Sequence, residues 1–295
     1  MKIKGFILTI LSLAFGVVSA MAAQPHCIQT FENGTINWST GKVLVTGKAA
    51  PETDTEGKAI AVPGSARADA IRNTISILKQ ISISPGLTVG DYASNHDIIL
   101  AGIEKTAQDA VITRQLYTSA LDVEVFMEAP IFGGFLQLVL PDHIRQIPKI
   151  SQLKTDGETK TKQPAQVPVN HIPYTGLIVD ARELALDPIL YPTIVSEQGK
   201  EIYSSLFVSR EFAVQYGVCT YLCDMTTALS IRRTGSNPLV FKALRKAGDK
   251  TGAIVVSMAD AKTLEKATER HKFLKECRVI IVIDRFAGEN PKPSQ

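Results

Sequence analysis

A polar, proline-rich segment in the middle of the 295-residue chain limits its architecture more than any other feature. Residues 148–173 contain prolines at both ends, mixed charges and few large apolar side chains. Such a segment cannot bury enough apolar surface to offset the entropy lost when it becomes ordered. A loop of this length is unusual inside one compact domain, so the segment predicts a linker between two domains.

The chain has five predicted parts, one of which is the linker. No internal sequence repeat relates them. We expect a signal peptide at residues 1–23, a first domain at 24–147, the linker at 148–173, a second domain at 174–284 and a disordered tail at 285–295.

The N-terminus has the features of a secretory signal peptide. Lys2 and Lys4 precede an uncharged apolar run over residues 6–20, which is shorter than the roughly 20 residues of a membrane-spanning helix. Small residues follow this run, as a signal peptidase requires. An uncleaved N-terminal anchor is the alternative. The candidate cleavage sites lie after Ala20, Ala22 or Ala23.

No other apolar stretch approaches membrane length. We therefore expect an exported protein without a transmembrane span in the mature chain. Its predicted location is the periplasm or the outer-membrane periphery of a Gram-negative bacterium.

Hydrophobic periodicity predicts an α+β fold in both domains. In the first domain we expect strands at 41–48, 87–92 and 121–128, a helix at 64–81 with Ser65 as its N-cap, and a helix at 95–112. In the second domain we expect strands at 174–180, 253–257 and 277–283, a hairpin at 191–203 and a helix at 260–271.

Residues 41–141, with the small-residue helix Ser65-Ala66-Arg67-Ala68-Asp69-Ala70, resemble the module of LPP-type outer-membrane lipoproteins and of the flagellar-assembly lipoproteins FlgP and FlgT. That resemblance implies a small α+β unit and an outer-membrane or flagellar setting. The chain lacks a lipobox before Cys27. Three further stretches, 128–134, 174–182 and 237–243, resemble an exported proteobacterial family for which no activity is implied.

The sequence contains no known catalytic motif. No H-E-x-x-H, G-x-S-x-G or P-loop pattern occurs, and a formal charge of +3 argues against a dedicated nucleic-acid binder. We therefore expect no catalytic residue, cofactor or metal site. An unrecognised hydrolase, assembled by the fold and not by a motif, is the remaining enzymatic alternative.

The cysteines offer one candidate disulfide. Cys219, Cys223 and Cys277 all belong to the second domain, and a strand at Cys219 beside the closing strand would allow Cys277 to bond with Cys219 or Cys223. The alternatives are three small buried thiols or, less favoured, zinc at the C-x-x-x-C pair. Cys27 lies in the predicted N-terminal tail and is the least expected partner.

Charged residues suggest one further candidate. Asp180 and Arg182 follow a predicted strand and form either a local salt bridge or a ligand or partner contact. Asp122, Glu124 and Glu128 imitate a catalytic carboxylate pair, but their alternation is typical of the solvated face of a strand. Arg232-Arg233 and the lysines within 242–250 form a mild basic cluster, for which a solvated surface is the expectation and anionic envelope glycans or lipids the alternative.

Two function hypotheses follow. The first is a non-catalytic envelope protein that acts through contacts with envelope proteins or with itself, in a flagellar or other outer-membrane-associated structure. The second is a periplasmic binding module for a small or polymeric, peptidoglycan-like ligand, which requires a concave pocket with convergent polar groups.

Overall fold

The structure is a computed structural model that describes residues 26–141, 144, 173–248, 253–268 and 272–286. The predicted signal peptide lies outside these residues, as do the linker apart from Pro173 and residues 287–295 of the predicted tail.

Before the linker, the chain forms nine strands and four helices within the described residues. The strands are β1 Ile28–Phe31, β2 Gly34–Asn37, β3 Lys42–Ala49, β4 Glu52–Thr53, β5 Ala59–Ile60, β6 Ser82–Ser84, β7 Leu87–Thr88, β8 Val111–Tyr117 and β9 Val123–Pro130. The helices are α1 Pro63–Gln80, α2 Val89–Ala93, α3 Asp97–Gln108 and α4 Gly134–Val139.

After the linker, eight further strands and three α-helices are described. The strands are β10 Gly176–Asp180, β11 Ile194–Ser196, β12 Glu201–Tyr203, β13 Thr220–Leu222, β14 Pro238–Lys242, β15 Arg245–Ala247, β16 Ala253–Val256 and β17 Val279–Val282. The helices are α5 Arg210–Tyr216, α6 Met225–Ser230 and α7 Met258–Thr268. The mixture of helices and sheets confirms the α+β class.

An antiparallel sheet of five strands, in the order β1-β2-β3-β9-β8, organises the first half. Alternation in β3 and β9 places Val43, Val45 and the residues that pair with them on one buried face. Helix α1 covers that face with Ala66 and Ala70, both fully buried. Because these side chains are small, the backbone of α1 lies close to that of β3.

Two sheets organise the second half. Strands β13-β17-β10-β14 are all parallel, and β12-β11-β16-β15 form a mixed sheet. Strands β13, β17 and β10 are buried on both faces, whereas the edge strand β14 exposes alternate residues. Helix α6 packs on one side of the sheet, and the double burial explains the continuous apolar run of β17. The predicted hairpin is confirmed as β11 and β12.

Two local predictions are wrong, and in both cases the cause is the residues that begin a helix. Helix α1 begins at Pro63, whose fixed φ suits the first helical position, so Ser65 is not its N-cap. The strand predicted at 87–92 stops at Thr88, because the Thr88 side chain and the Asp91 carboxylate form a capping box that starts α2.

The predicted helix 95–112 is too long. Helix α3 ends at Gln108, and Val111 begins β8, a strand that the periodicity did not reveal. Ile98, which helical periodicity over 95–112 would place on the buried side, is 83% exposed, whereas Ile99 and Ile103 are buried. The run of apolar residues near Val111 was read as a continuing helical face although it belongs to an edge strand.

The fold at the end of the second domain includes the first two residues of the predicted tail. The Asp284 carboxylate accepts hydrogen bonds from the backbone N–H groups of Glu183 and Ala185, at 2.9–3.1 Å. Phe286 packs against the core. The fold therefore continues to Phe286, beyond the predicted start of the tail.

The two halves share one continuous hydrophobic core, although each sheet is built from one side of the linker. Backbone bonds cross between them: Leu190 N–H donates to Ser82 O at 2.9 Å and Gly133 N–H donates to Val214 O at 2.8 Å. The Tyr191 hydroxyl donates to Val139 O at 2.8 Å in a buried site. The halves are thus packed against each other as well as tethered.

We predict that Gly47→Ala destabilises the protein by about 3 kcal/mol, because a Cβ at Gly47 collides with backbone atoms of Ala66 and Ala70 in α1. Gly64→Ala is the matched control, since a Cβ there meets open space, and alanine in the helix stabilises by up to about 1 kcal/mol. Urea unfolding measures both; equal stability of the two variants would show that α1 does not contact β3 in this way.

A second prediction concerns the contact between the halves. We expect a protein cut at a specific protease site, inserted between Ile150 and His171, to remain a single species in native buffer that reduces disulfides, because the halves share a core. Size-exclusion chromatography in the presence and absence of urea measures this. Separation of the two pieces in native, reducing buffer would mean that the shared core contributes little.

Candidate functional site

A disulfide joins the two halves. Cys27, just before β1, is bonded to Cys223, just after β13, with their Cα atoms 5.3 Å apart and 196 positions between them in sequence. The candidate bridge from Cys277 to Cys219 or Cys223 is therefore wrong, and the alternative of small buried thiols holds for Cys219 and Cys277 but not for Cys223. Cys27 is no loose tail residue: it is fully buried, its N–H donates to Ser39 Oγ and its carbonyl accepts from Trp38 N–H.

Cys219 and Cys277 are free thiols in buried positions. Strand β13 does lie beside the closing strand β17, but the sulfur of Cys223 is already used. Burial raises the pKa of each free thiol to about 12. Both are therefore protonated near neutral pH and behave as small hydrophobes, and the zinc alternative fails because Cys223 cannot supply a thiolate.

Aromatic and polar contacts surround the disulfide. The Trp38 ring meets the Tyr221 ring edge-on at a centroid distance of 5.9 Å. Ser39 Oγ donates to Tyr221 O at 3.1 Å, and the Tyr221 hydroxyl both donates to and accepts from the backbone of Ile189. The first two contacts cross the same boundary as the disulfide, so β2 and its following turn are fixed against β13.

Phe132 occupies the same boundary. A Cβ at Gly41 or at Gly217 would collide with its ring, and both glycines have positive φ, +66° and +75°. Gly41 belongs to the first half and Gly217 to the second. The Phe132 ring thus lies between two backbone segments. Glycine is required in each of them, because it tolerates the positive φ and has no Cβ to collide with the ring.

A pocket of about 500 Å³ opens beside Phe132, at the amino ends of β13 and β17. The rings of Phe132, Phe212 and Tyr216 line it, and the last two stack with their centroids 6.3 Å apart. Ser39 adds a second residue from the first half. The pocket therefore exists only where the halves meet.

The polar lining of this pocket is mainly cationic. It contains Arg232, Arg233 and Arg278 against one carboxylate, Glu276. Arg278 Nε lies 2.8 Å from Glu276 Oε2. The Arg233 guanidinium donates to the carbonyls of Val279, Tyr216 and Gly217 at 3.2, 2.7 and 2.8 Å.

Asp180 and Arg182 form a bidentate ion pair. Arg182 Nε and Nη2 donate to the two Asp180 carboxylate oxygens at 2.8 and 2.7 Å, and this contact lowers the Asp180 pKa. The pair lies at the carboxyl end of β10, next to a loop with positive φ at Glu183 and Ala185. The structure thus shows the local salt bridge, while a ligand or partner contact stays a prediction.

The three carboxylates on the 121–128 stretch do not form a catalytic pair. Glu124 is bonded to Lys48 at 2.9 Å and Glu128 to Lys42 at 2.6 Å, across neighbouring strands. Asp122 accepts from the Thr118 hydroxyl. These contacts fit the predicted solvated face of a half-buried strand.

Strand β8 forms an uncovered edge of the first sheet. All seven of its residues are exposed, and among the residues that the structure describes only one side of the strand is paired, with β9. The side chains of Val111, Leu116 and Tyr117 are 65%, 42% and 57% exposed. Arg114, the single charged residue of the strand, lies 4.1 Å above the Phe126 ring.

Sequence reasoning noticed parts of the pocket without recognising it. Arg232-Arg233 was read as a basic surface, and Phe132 was seen only inside the 128–134 stretch. The pair of glycines, Gly41 and Gly217, gives no usable signal in the sequence, because their partner ring is more than eighty positions away from each of them. A single sequence does not reveal such a contact.

The described part of the chain contains neither a cluster of metal ligands nor a membrane-spanning helix. In these residues no group of three or more His, Cys, Asp or Glu side chains is arranged to hold a metal ion. No helix there combines the length and apolar character required to cross a bilayer.

Residues 176–285 match the family model described as Treponema pallidum Tp0624, second domain. The match begins at the first residue of β10 and extends past β17, so it covers both sheets of the second half. No curated protein matches the chain. This part of the chain is therefore similar to that domain.

We predict that neither free thiol reacts with iodoacetamide in the folded protein at pH 8, because a pKa of about 12 leaves very little thiolate. In denaturant without reductant, Cys219 and Cys277 should both be labelled. Ser236→Cys, at an exposed position, is the control that should label at once. Rapid native labelling of either buried cysteine, followed by mass spectrometry, would contradict the packing described above.

Proposed function

We propose that this chain is an exported, non-catalytic protein of the bacterial envelope that acts through protein–protein contacts. Two features support export. The N-terminus has the pattern of a signal peptide, and the Cys27–Cys223 disulfide suits an oxidising compartment such as the periplasm.

The observation that carries the proposal is the uncovered strand β8. A free sheet edge offers unpaired N–H and C=O groups to another strand. Natural edge strands are usually protected from pairing by several charged side chains or by a covering helix or loop. Strand β8 has one charged residue, Arg114, whose guanidinium lies over the Phe126 ring. A bulge between Ile112 and Arg114 interrupts the register, so the run from Arg114 to Tyr117 is the regular part of the edge.

We propose that the partner is an extended segment of an envelope protein with alternating apolar side chains. Backbone hydrogen bonds would add this segment to the sheet as a sixth strand, and exposed apolar residues would select it. Leu116 lies on the open face of the sheet, beside Glu124, and Tyr117 on the opposite face, beside Val123. Both faces of an added strand would therefore meet an apolar side chain.

The chemistry of the described thiols and carboxylates supports a non-catalytic role. Cys219 and Cys277 are protonated near neutral pH, so they are poor nucleophiles. Asp180 is committed to Arg182. The more specific setting, a flagellar or other outer-membrane-associated structure, is proposed from the resemblance of residues 41–141 to LPP-type, FlgP and FlgT proteins alone.

A second candidate function is a periplasmic binding module. The pocket between the halves favours it, since about 500 Å³ lies within the usual range for small-ligand sites. Its aromatic walls and convergent arginines are the combination of apolar surface and few polar groups that such sites use.

We predict that a photo-crosslinking residue in place of Tyr117 gives a discrete adduct with an envelope protein in intact cells. Val111→Lys with Leu116→Lys should abolish that adduct, because charges on an edge strand oppose pairing. Both positions are exposed, so each substitution should change the free energy of unfolding by no more than about 0.5 kcal/mol.

The matched control replaces Leu229, an exposed leucine of α6, first by the crosslinker and then by Lys. An adduct whose mass is twice that of the chain would identify self-assembly through β8. Equal adducts from both positions, or none from position 117, would overturn the proposed interface.

A further inference from the structure

The pocket between the halves has an excess of positive charge. Three arginines line it, whereas Glu276 supplies the one carboxylate among its described lining residues and is bonded to Arg278. The remaining two guanidinium groups, of Arg232 and Arg233, have no ion pair in the part of the chain that the structure describes. The site therefore has a net positive potential that an anion would neutralise.

The two unpaired arginines differ in their roles. Arg233 is fixed by hydrogen bonds to three backbone carbonyls, and burial lowers its pKa. Its charge is held in place while most of its donors are used. Arg232 is exposed, and no hydrogen bond of its guanidinium lies within the described residues, so its planar donor pair is available for a carboxylate.

The apolar walls define the rest of the ligand. Phe212 and Tyr216 stack on successive turns of α5, and Phe132 is held between Gly41 and Gly217. Flat rings that are fixed in this way favour a flat apolar body, because aromatic pairs prefer offset-stacked or edge-on contact. A volume of about 500 Å³ accommodates one or two fused rings.

We propose that this pocket binds a small organic carboxylate with a flat apolar body, its carboxylate at Arg232 and its body against Phe212, Tyr216 and Phe132. This inference rests on the second proposed function, the binding module, and not on assembly through β8. Because Phe132 and Ser39 come from the first half and the other lining residues from the second, an occupied pocket would also stabilise the contact between the halves.

Three probes of one shape test the inference: naphthoate, naphthalenemethanol and naphthylmethylamine, titrated into the full-length mature protein by calorimetry. We expect naphthoate to bind about tenfold more tightly than the neutral alcohol, and the amine not to bind, because charge-assisted hydrogen bonds and the positive potential favour the anion.

Arg232→Gln should remove the preference for naphthoate and leave the affinity for the alcohol unchanged. Arg245→Gln, a substitution of an exposed arginine outside the pocket lining, should change neither. Phe212→Ala should weaken both ligands; Tyr216→Ala, at a 44% exposed position, serves if the phenylalanine variant does not fold.

The outcomes distinguish the proposed carboxylate preference from the proposal that the protein is a binding module. Equal binding of all three probes would overturn the carboxylate preference while leaving a binding module in place. Absence of binding by every probe at millimolar concentration would overturn both. Val111→Lys with Leu116→Lys should not alter naphthoate affinity, so a failure of the β8 interface can be recognised independently.

Discussion

The bond between Cys27 and Cys223 closes a loop of nearly two hundred residues and joins the two halves covalently at the boundary where they pack. In the chain-entropy description, a loop of this length stabilises the folded state by about 5 kcal/mol, a large fraction of the stability of an ordinary domain. Trp38, Ser39 and Tyr221 then fix the orientation at the bond. The Phe132 contact with Gly41 and Gly217 lies at the same boundary.

Because of these contacts, the linker does not join two independent domains. Composition alone suggests two independent units on a tether, but backbone hydrogen bonds and one shared core join them. Residues 148–173 separate the sheets in sequence, since each sheet comes from one side of them. The contact between the halves also forms the pocket of about 500 Å³ that Ser39 and Phe132 line together with residues of the second half.

Much of the secondary structure follows from the sequence, since alternation and helical periodicity are local properties. Strands β3, β9, β10, β16 and β17 and helices α1 and α7 agree with the predicted ranges within a few residues. The errors also have local causes: Pro63 starts α1 before Ser65, and the Thr88–Asp91 capping box converts a predicted strand into a helix. Strand β8 was missed because an edge strand that is exposed on both faces has no clean alternation.

The site was much less predictable than the fold. Cys27 is the least expected disulfide partner because its sequence neighbours resemble a tail, yet it is fully buried and its carbonyl accepts a hydrogen bond from Trp38 N–H. The charged residues Asp180 and Arg182 are visible in sequence, whereas Arg232 is recognised as a pocket residue only in the structure, where Phe132 from the other half lines the same pocket. Contacts between distant positions depend on tertiary packing, which one sequence does not reveal.

The Cys27–Cys223 disulfide suits an oxidising compartment and also joins the two halves. One measurement of this bond therefore tests both export and the joining of the halves. The protein is isolated from the envelope fraction of cells, its thiols are blocked during lysis, and its peptides are mapped without reduction by mass spectrometry. The expected result is a linked peptide pair that contains Cys27 and Cys223, with Cys219 and Cys277 both recovered as blocked thiols. Four blocked thiols, or a link from Cys277 to Cys219 or Cys223, would contradict it.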